Sequence, residues 1–425
     1  MIMKIRALRY PPGLDFLSYD ALPSGANAES VPIEAEDGGK SRGVLYSKGK
    51  EKTVLFVMHP RADMTRHYMV PGIVGNGYAF FGQICRSPGD DLSATTIHEH
   101  LLADVAAGLK FLRSRGYENI VLVGNSGGAS MFAFYHKQAT TQPPGRLTAT
   151  VAGDPFDLNK FDMPTADGFI FLGPHLGAGL WMRDGIDPSI TDEDDPTSCD
   201  PALDLYSPEN GFREPPTASE YSSDFLMRYR AAQDARSSRI DALAWSMIRA
   251  ESARDELAEA TAGRNDAAGL LARRQAIAGK GQRITIHRLD ANPESVDRTT
   301  TEPGRSYGSL FAYRPDLLNY SMHTSKIIDP RAWLSSWSAA TSRARLLENL
   351  PAVKTPTLVL AYRGDNTVHP DKVKQVYDQS PAKDKDFKLV NGDHFGFFDG
   401  PEGEGGRPAA RKVIVDWLRG HFPVA

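Results

Sequence analysis

A hydroxyl becomes a useful nucleophile at neutral pH only when a base removes its proton. Ser126 stands in Gly124-Asn125-Ser126-Gly127-Gly128, directly after an apolar, strand-like run at residues 120–123 and directly before a helix-forming run at 129–135. Glycines two places to either side let the backbone close into a tight strand-to-helix turn from which the serine Oγ projects. In a chain with 38 glycines the five-letter pattern alone also fits an ordinary glycine-rich turn, so the strand before it and the helix after it carry the reading.

Eleven histidines compete to be the base. His394 is singled out by its place: a strand-like stretch at 387–390 leads into Asn391-Gly392-Asp393-His394-Phe395-Gly396, and a closing helix at 409–418 follows. The acid that orients an imidazole is expected between serine and histidine in chain order. Asp365, in Arg363-Gly364-Asp365-Asn366 just after an apolar strand at 357–362, meets that requirement, with Asp371 as its nearest rival. Loops at the carboxyl ends of strands are where catalytic groups gather in open α/β sheets.

Negative charge developing on a carbonyl oxygen needs N–H donors. Gly127, next to the nucleophile, is expected to supply one. The second is expected from the loop after the strand at 54–58, His59-Pro60-Arg61-Ala62-Asp63. Proline has no N–H, which leaves Arg61 as the donor and His59 as a residue that pins the loop. The Arg61 side chain is a candidate to bind a substrate carboxylate, against a salt bridge to Asp63 or to the inserted segment.

Positioning these groups requires an α/β architecture. Strand-like runs at 43–46, 53–58, 78–85 and 119–123 alternate with helical spacing, in which Ile97, Leu101, Leu102, Val105, Leu109 and Leu112 form one apolar stripe. Further strands are expected at 168–172 and 357–362. About 180 residues separate them, far more than one connection needs, so an insertion is required. It opens with an acidic, turn-rich stretch at 184–208 and turns Ala-, Arg-, Glu- and Leu-rich from 221 to about 279, which favours long amphipathic helices. An irregular portion follows at 290–330, and helix is expected again at 330–350. The charged helices read as a solvated face or as an oligomer contact, the route to a homo-oligomer.

A net charge of −4 argues against nucleic acid as a partner. Two distant cysteines, Cys85 and Cys199, make a disulfide framework unexpected and fit a reducing compartment. The first 15 residues carry no apolar stretch of signal-peptide length, and no run reaches the roughly 18 to 20 apolar residues of a bilayer span. The expectation is a cytoplasmic, soluble protein without a membrane partner.

On these residues the chain resembles the α/β-hydrolase superfamily, in its serine-hydrolase, carboxylesterase-like branch. The resemblance covers residues 31–173 and 346 to the end. It implies a mostly parallel sheet with helices on both faces, built from residues 1–174 and 346–425, and a mainly helical cap at 175–345 inserted after the sixth strand. By position, Ser126, Asp365 and His394 take the roles of nucleophile, orienting acid and base, with Gly127 and Arg61 at the oxyanion hole. One departure stands out: His59 is followed by Pro60 where the family has glycine. Aspartate-nucleophile relatives are set aside by the serine at 126.

The expected reaction is hydrolysis of a carboxylic ester, lactone or thioester of a small apolar or aromatic substrate through an acyl-enzyme, with no metal or organic cofactor. His59, His175, Trp181 and Phe395 are the candidate substrate-binding residues, with Leu180, Met182, Phe397 and Phe398 nearby; core packing is the competing explanation for the apolar ones. The alternatives are a carbon–carbon hydrolase of ring-cleavage products, whose elbow resembles this one but is one residue longer, an aminopeptidase that uses the acidic stretch 192–195, and a non-catalytic small-molecule binder of the same fold.

Overall fold

The computed structural model describes residues 19, 21–87, 93–299, 305, 307–401 and 403–424. The first 15 residues, on which the reading of export rests, lie outside the described residues. The strands are β1 (Asn27–Glu34), β2 (Lys40–Ser47), β3 (Thr53–Met58), β4 (Ala79–Ile84), β5 (Ser93–Ala94), β6 (Asn119–Asn125), β7 (Gly168–Leu172), β8 (Ile284–Ile286), β9 (Lys326–Ile328), β10 (Thr357–Tyr362) and β11 (Lys385–Val390). The longer helices are α1 (Val70–Gly75), α2 (His98–Ser114), α3 (Gly127–Thr140), α4 (Ala178–Gly185), α5 (Ser223–Ala260), α6 (Ala267–Gly279), α7 (Pro370–Gln379) and α8 (Gly406–His421).

Eight strands form one sheet in the order β1-β2-β4-β3-β6-β7-β10-β11. The pairs β1–β2 and β2–β4 are antiparallel, and the six strands from β4 to β11 run parallel. This is the α/β-hydrolase fold. The central strands read as unbroken apolar runs because both faces are covered. Val54, Phe56 and Met58 of β3 pack with Leu101, Val105, Leu109 and Leu112 of α2 and Phe132 of α3. The intervening Leu55 and Val57 pack on the other side with Ile73 of α1 and with Ile414 and Leu418 of α8. The two-residue period of the strand thus sorts its side chains between two cores. At the edge, β1 pairs with β2 along its whole length across a turn in which Ala35 N donates to Gly39 O at 2.8 Å. The sequence reading began the fold only at residue 31; the signal for the earlier start was Asp37-Gly38-Gly39, a hairpin turn in which Gly38 has a φ of 81°.

Between β7 and β10 the chain leaves the sheet. Ser222 caps α5 by accepting from Phe225 N at 3.1 Å, and Asp266 caps α6 by accepting from Gly269 N at 3.0 Å. Ile240, Ala244 and Ile248, four residues apart, bury one stripe of α5 against Trp333 and Trp337. A small second sheet, in the order β5-β9-β8, pairs the inserted segment with a strand that follows β4 and so ties it to the main body. The helix expected at 330–350 does not form as one piece. A short turn at Pro330–Ala332 passes into a wide π-type turn at Trp333–Trp337 and ends there; one further turn appears at Leu346–Asn349. The serines are the reason: Ser338 Oγ accepts from Ala340 N and Thr341 N, both at 3.2 Å, and so satisfies the backbone outside a helix. Among the described residues no helix is long and apolar enough to cross a membrane.

Candidate active site

The turn after β6 holds Ser126 at φ 51° and ψ −119°, a conformation that a side-chain-bearing residue adopts only under constraint. The constraint is visible on both sides. Ser126 N donates to Leu172 O at the end of β7 at 3.0 Å, and Ala129 N returns to Ser126 O at 3.2 Å. A Cβ on Gly124 would lie 2.6 Å from Ala129 Cα, and one on Gly128 would lie 2.5 Å from Met58 O, so neither position admits a side chain. Asn125, immediately before the serine, is buried and doubly held: its amide donates to Leu172 O at 3.0 Å, and its Oδ1 lies 3.1 Å from His67 Nε2. Because His67 Nδ1 accepts from Met69 N at 3.3 Å, the ring proton sits on Nε2 and points at Asn125. The sequence reading missed His67; nothing in its spacing distinguishes it from the other loop histidines.

Three groups from three loops meet at this turn. His394 Nε2 lies 3.0 Å from Ser126 Oγ, and His394 Nδ1 lies 2.7 Å from Asp365 Oδ2. The other carboxylate oxygen, Asp365 Oδ1, accepts from Thr367 N and Val368 N, both at 2.8 Å, which fixes the carboxylate in the loop after β10. His394 is held in turn by its own loop, where Asp393 Oδ1 accepts from Phe395 N at 3.0 Å and Phe397 N at 2.9 Å. Asp371, the rival acid, lies in the first turn of α7. Gly173, the first residue beyond β7, has φ 50°, and a Cβ there would sit 3.6 Å from Asp365 Oδ2.

Electrostatics separate His394 from its neighbours. Burial opposes charge on its ring, but the Asp365 carboxylate, by its charge and its hydrogen bond, outweighs burial and raises the pKa above 6.5. Burial drives the others down: His67 and His98 to about 4, His175 to about 3, and His59 well below its ordinary value. The positive charge of Arg61 pushes His59, His98 and His175 further in the same direction. Among these five, His394 alone is disposed to accept a proton.

Ser126 leads directly into Gly127, the first residue of α3, whose N–H has no partner within the helix. Arg61 is different. Its N–H donates to His59 Nδ1 at 3.1 Å, beside Ala62 N at 3.0 Å, so the loop turns inward on its own histidine and that N–H is spent. The Arg61 guanidinium carbon lies 4.7 Å from the Trp337 ring centroid and 5.9 Å from that of Trp181. Trp181, on α4, also meets Phe311 edge to face at 6.1 Å. His59 and His175 are both buried, and a Cβ placed on Gly127 would lie 2.8 Å from His59 Nε2 and 2.9 Å from His175 Nε2. Phe395 packs its ring edge-on to His394 at 5.1 Å and its body against the core on the α8 side of the sheet.

No family model matches the chain, and no curated protein matches it by sequence. Solved structures do match. The esterase domain of a Rhodothermus marinus protein aligns at 9% identity and a TM-score of 0.42, over 93% of this chain and 99% of that one. A monoacylglycerol lipase from Paleococcus ferrophilus aligns at 14% and 0.38, over 93% and 99%. A thermophilic esterase from Thermogutta terrifontis aligns at 17% and 0.36, over 93% and 100%. With TM-scores below 0.5 these likenesses carry no weight for the chemistry, which rests on this chain's own side chains.

Proposed function

We propose that the chain is a serine hydrolase that cleaves a carboxylic ester, lactone or thioester of a small apolar or aromatic substrate through an acyl-enzyme. One observation carries the reading: the hydrogen-bonded series from Ser126 Oγ to His394 Nε2 at 3.0 Å and from His394 Nδ1 to Asp365 Oδ2 at 2.7 Å. With Nδ1–H donated to the carboxylate, His394 Nε2 is the basic nitrogen, and it faces the serine hydroxyl. As Oγ attacks the substrate carbonyl, its proton passes to Nε2; the imidazolium that forms is stabilised by Asp365 and then protonates the leaving alkoxide. Water enters, gives its proton to the same nitrogen and attacks the acyl carbon, and collapse returns the proton to Ser126 as the acid departs. The inserted segment acts as a lid. Trp181, beside Arg61, supports an enclosed aromatic or apolar pocket for a small molecule.

A panel of nitrophenyl esters, lactones, thioesters and amides of graded size tests this. Turnover of at least one oxygen or sulfur ester, lost by about 10⁴-fold or more in Ser126→Ala, is the expected result. Full activity in Ser126→Ala overturns it, as does turnover of amides or carbon–carbon substrates alone.

A further inference from the structure

The loop that should supply the second backbone donor has folded its N–H groups onto a histidine, so the developing oxyanion needs another partner. The geometry points to the side chains of His59 and His175 as that partner: their two Nε2–H groups, with the N–H of Gly127, form an oxyanion hole built largely from imidazoles. This rests on the serine-hydrolase reading above and assigns two catalytic residues within it.

The argument begins with tautomers. His59 Nδ1 accepts two backbone N–H groups, from Arg61 at 3.1 Å and Ala62 at 3.0 Å. His175 Nδ1 accepts from Gly177 N at 3.1 Å. A neutral imidazole carries one proton, so in both rings it is on Nε2. Burial and the nearby Arg61 charge keep both rings neutral, so each offers one N–H and no net charge. Both Nε2 atoms lie within 2.9 Å of a single point beside Gly127 Cα, the residue after the nucleophile. Both rings therefore stand beside the residue whose N–H is the backbone donor. The same closeness explains the glycine at 127, where a Cβ would collide with both ring nitrogens. His175 is also tied to the nucleophile through the backbone, its N–H reaching Ser126 O at 3.4 Å. No proton moves: the two imidazoles donate hydrogen bonds to the tetrahedral oxyanion and release it when the carbonyl re-forms. Donors fixed in advance in a buried site stabilise charge more in the transition state than in the ground state.

Asparagine and glutamine replacements separate this from a purely structural role. Asn places its carbonyl oxygen near the position of Nδ1 and can hold the loop; Gln places its amide N–H₂ near the position of Nε2 and can serve the oxyanion. For donors, His59→Asn and His175→Asn lower kcat by about 10²-fold or more with KM little changed, and the Gln variants recover most of it. Equal activity in wild type and Asn variants, or rescue by Asn and not by Gln, overturns the inference. Wild-type protein labelled with ¹⁵N in its histidines gives a reading that does not depend on variants folding. Both rings are expected to be neutral Nε2–H tautomers whose proton signals move downfield when a trifluoromethyl ketone adds to Ser126; an Nδ1–H tautomer or unmoved signals overturn it. Failure of the underlying reading is distinct: a wild-type protein that forms no adduct at Ser126 refutes the hydrolase itself, whereas adduct formation with insensitive histidines refutes only this hole.

Discussion

The strain at the nucleophile can be measured without knowing the substrate. Ser126 carries a Cβ at φ 51° and ψ −119°, outside the left-handed well as well as the common regions. Such a residue costs about 1–3 kcal/mol relative to glycine in the same backbone. Replacing Ser126 by Ala or by Gly removes the same hydroxyl and the same contact to His394, so the difference between the two variants isolates the Cβ. Glycine loses about 0.4–1 kcal/mol through its freer unfolded state. The net expectation is a Gly variant more stable than the Ala variant by about 1 kcal/mol. For a slope of about 3 kcal/mol per molar urea that is a rise of about 0.3 M in the unfolding midpoint. Urea titrations followed by far-ultraviolet circular dichroism, with equal slopes for both variants, read this directly. A Gly variant at or below the Ala midpoint refutes the claim that the turn is held in a strained conformation by Leu172 O and Ala129 N.

Two further outcomes follow from the same contacts. Because Asp365 raises the His394 pKa above 6.5 and only the neutral ring can act as base, kcat/KM should fall as pH drops through a value above 6.5; in Asp365→Asn, with burial opposed only by the charge of Asp393, that limb should move to lower pH and kcat should drop about 10⁴-fold. An unmoved limb would show that another group titrates. In the inserted segment, Arg288 and Asp187 form a buried pair at 2.7 Å, their side chains 2% and 0% exposed. Asp187→Ala leaves the cation buried without its counter-charge and should destabilise the protein by about 3–5 kcal/mol, read as a lower urea midpoint; a loss below about 1 kcal/mol would show that the pair is not holding the segment.

Legibility in the sequence followed the range of the interaction. Strands buried on both faces, β3, β7 and β10, announced themselves as apolar runs, and the amphipathic α2 as a stripe, because their periodicity is local. The turn at Ser126 was legible because Gly124 answers to a steric limit five residues away, at Ala129, although the limit on Gly128 is the distant Met58 O. The stretch at 330–350 was not, since its end is set by serine hydroxyls that compete with a helix; Ser335 and Ser336 also reach the main body, at His98 N and Thr96 O. The Arg61 donor was inferred from what proline lacks, and the direction in which the loop turns its N–H groups is fixed by His59 Nδ1, which no spacing rule reveals. The nearness of His59 and His175 to Gly127, from loops after β3 and β7, is a purely tertiary fact.

Active-site labelling tests the central claim most directly. A fluorophosphonate should form one covalent adduct per chain, located by peptide mass spectrometry on Ser126, at a rate that collapses in His394→Ala. An unlabelled wild-type protein, or labelling of Ser126 that proceeds equally fast without His394, would contradict the assignment.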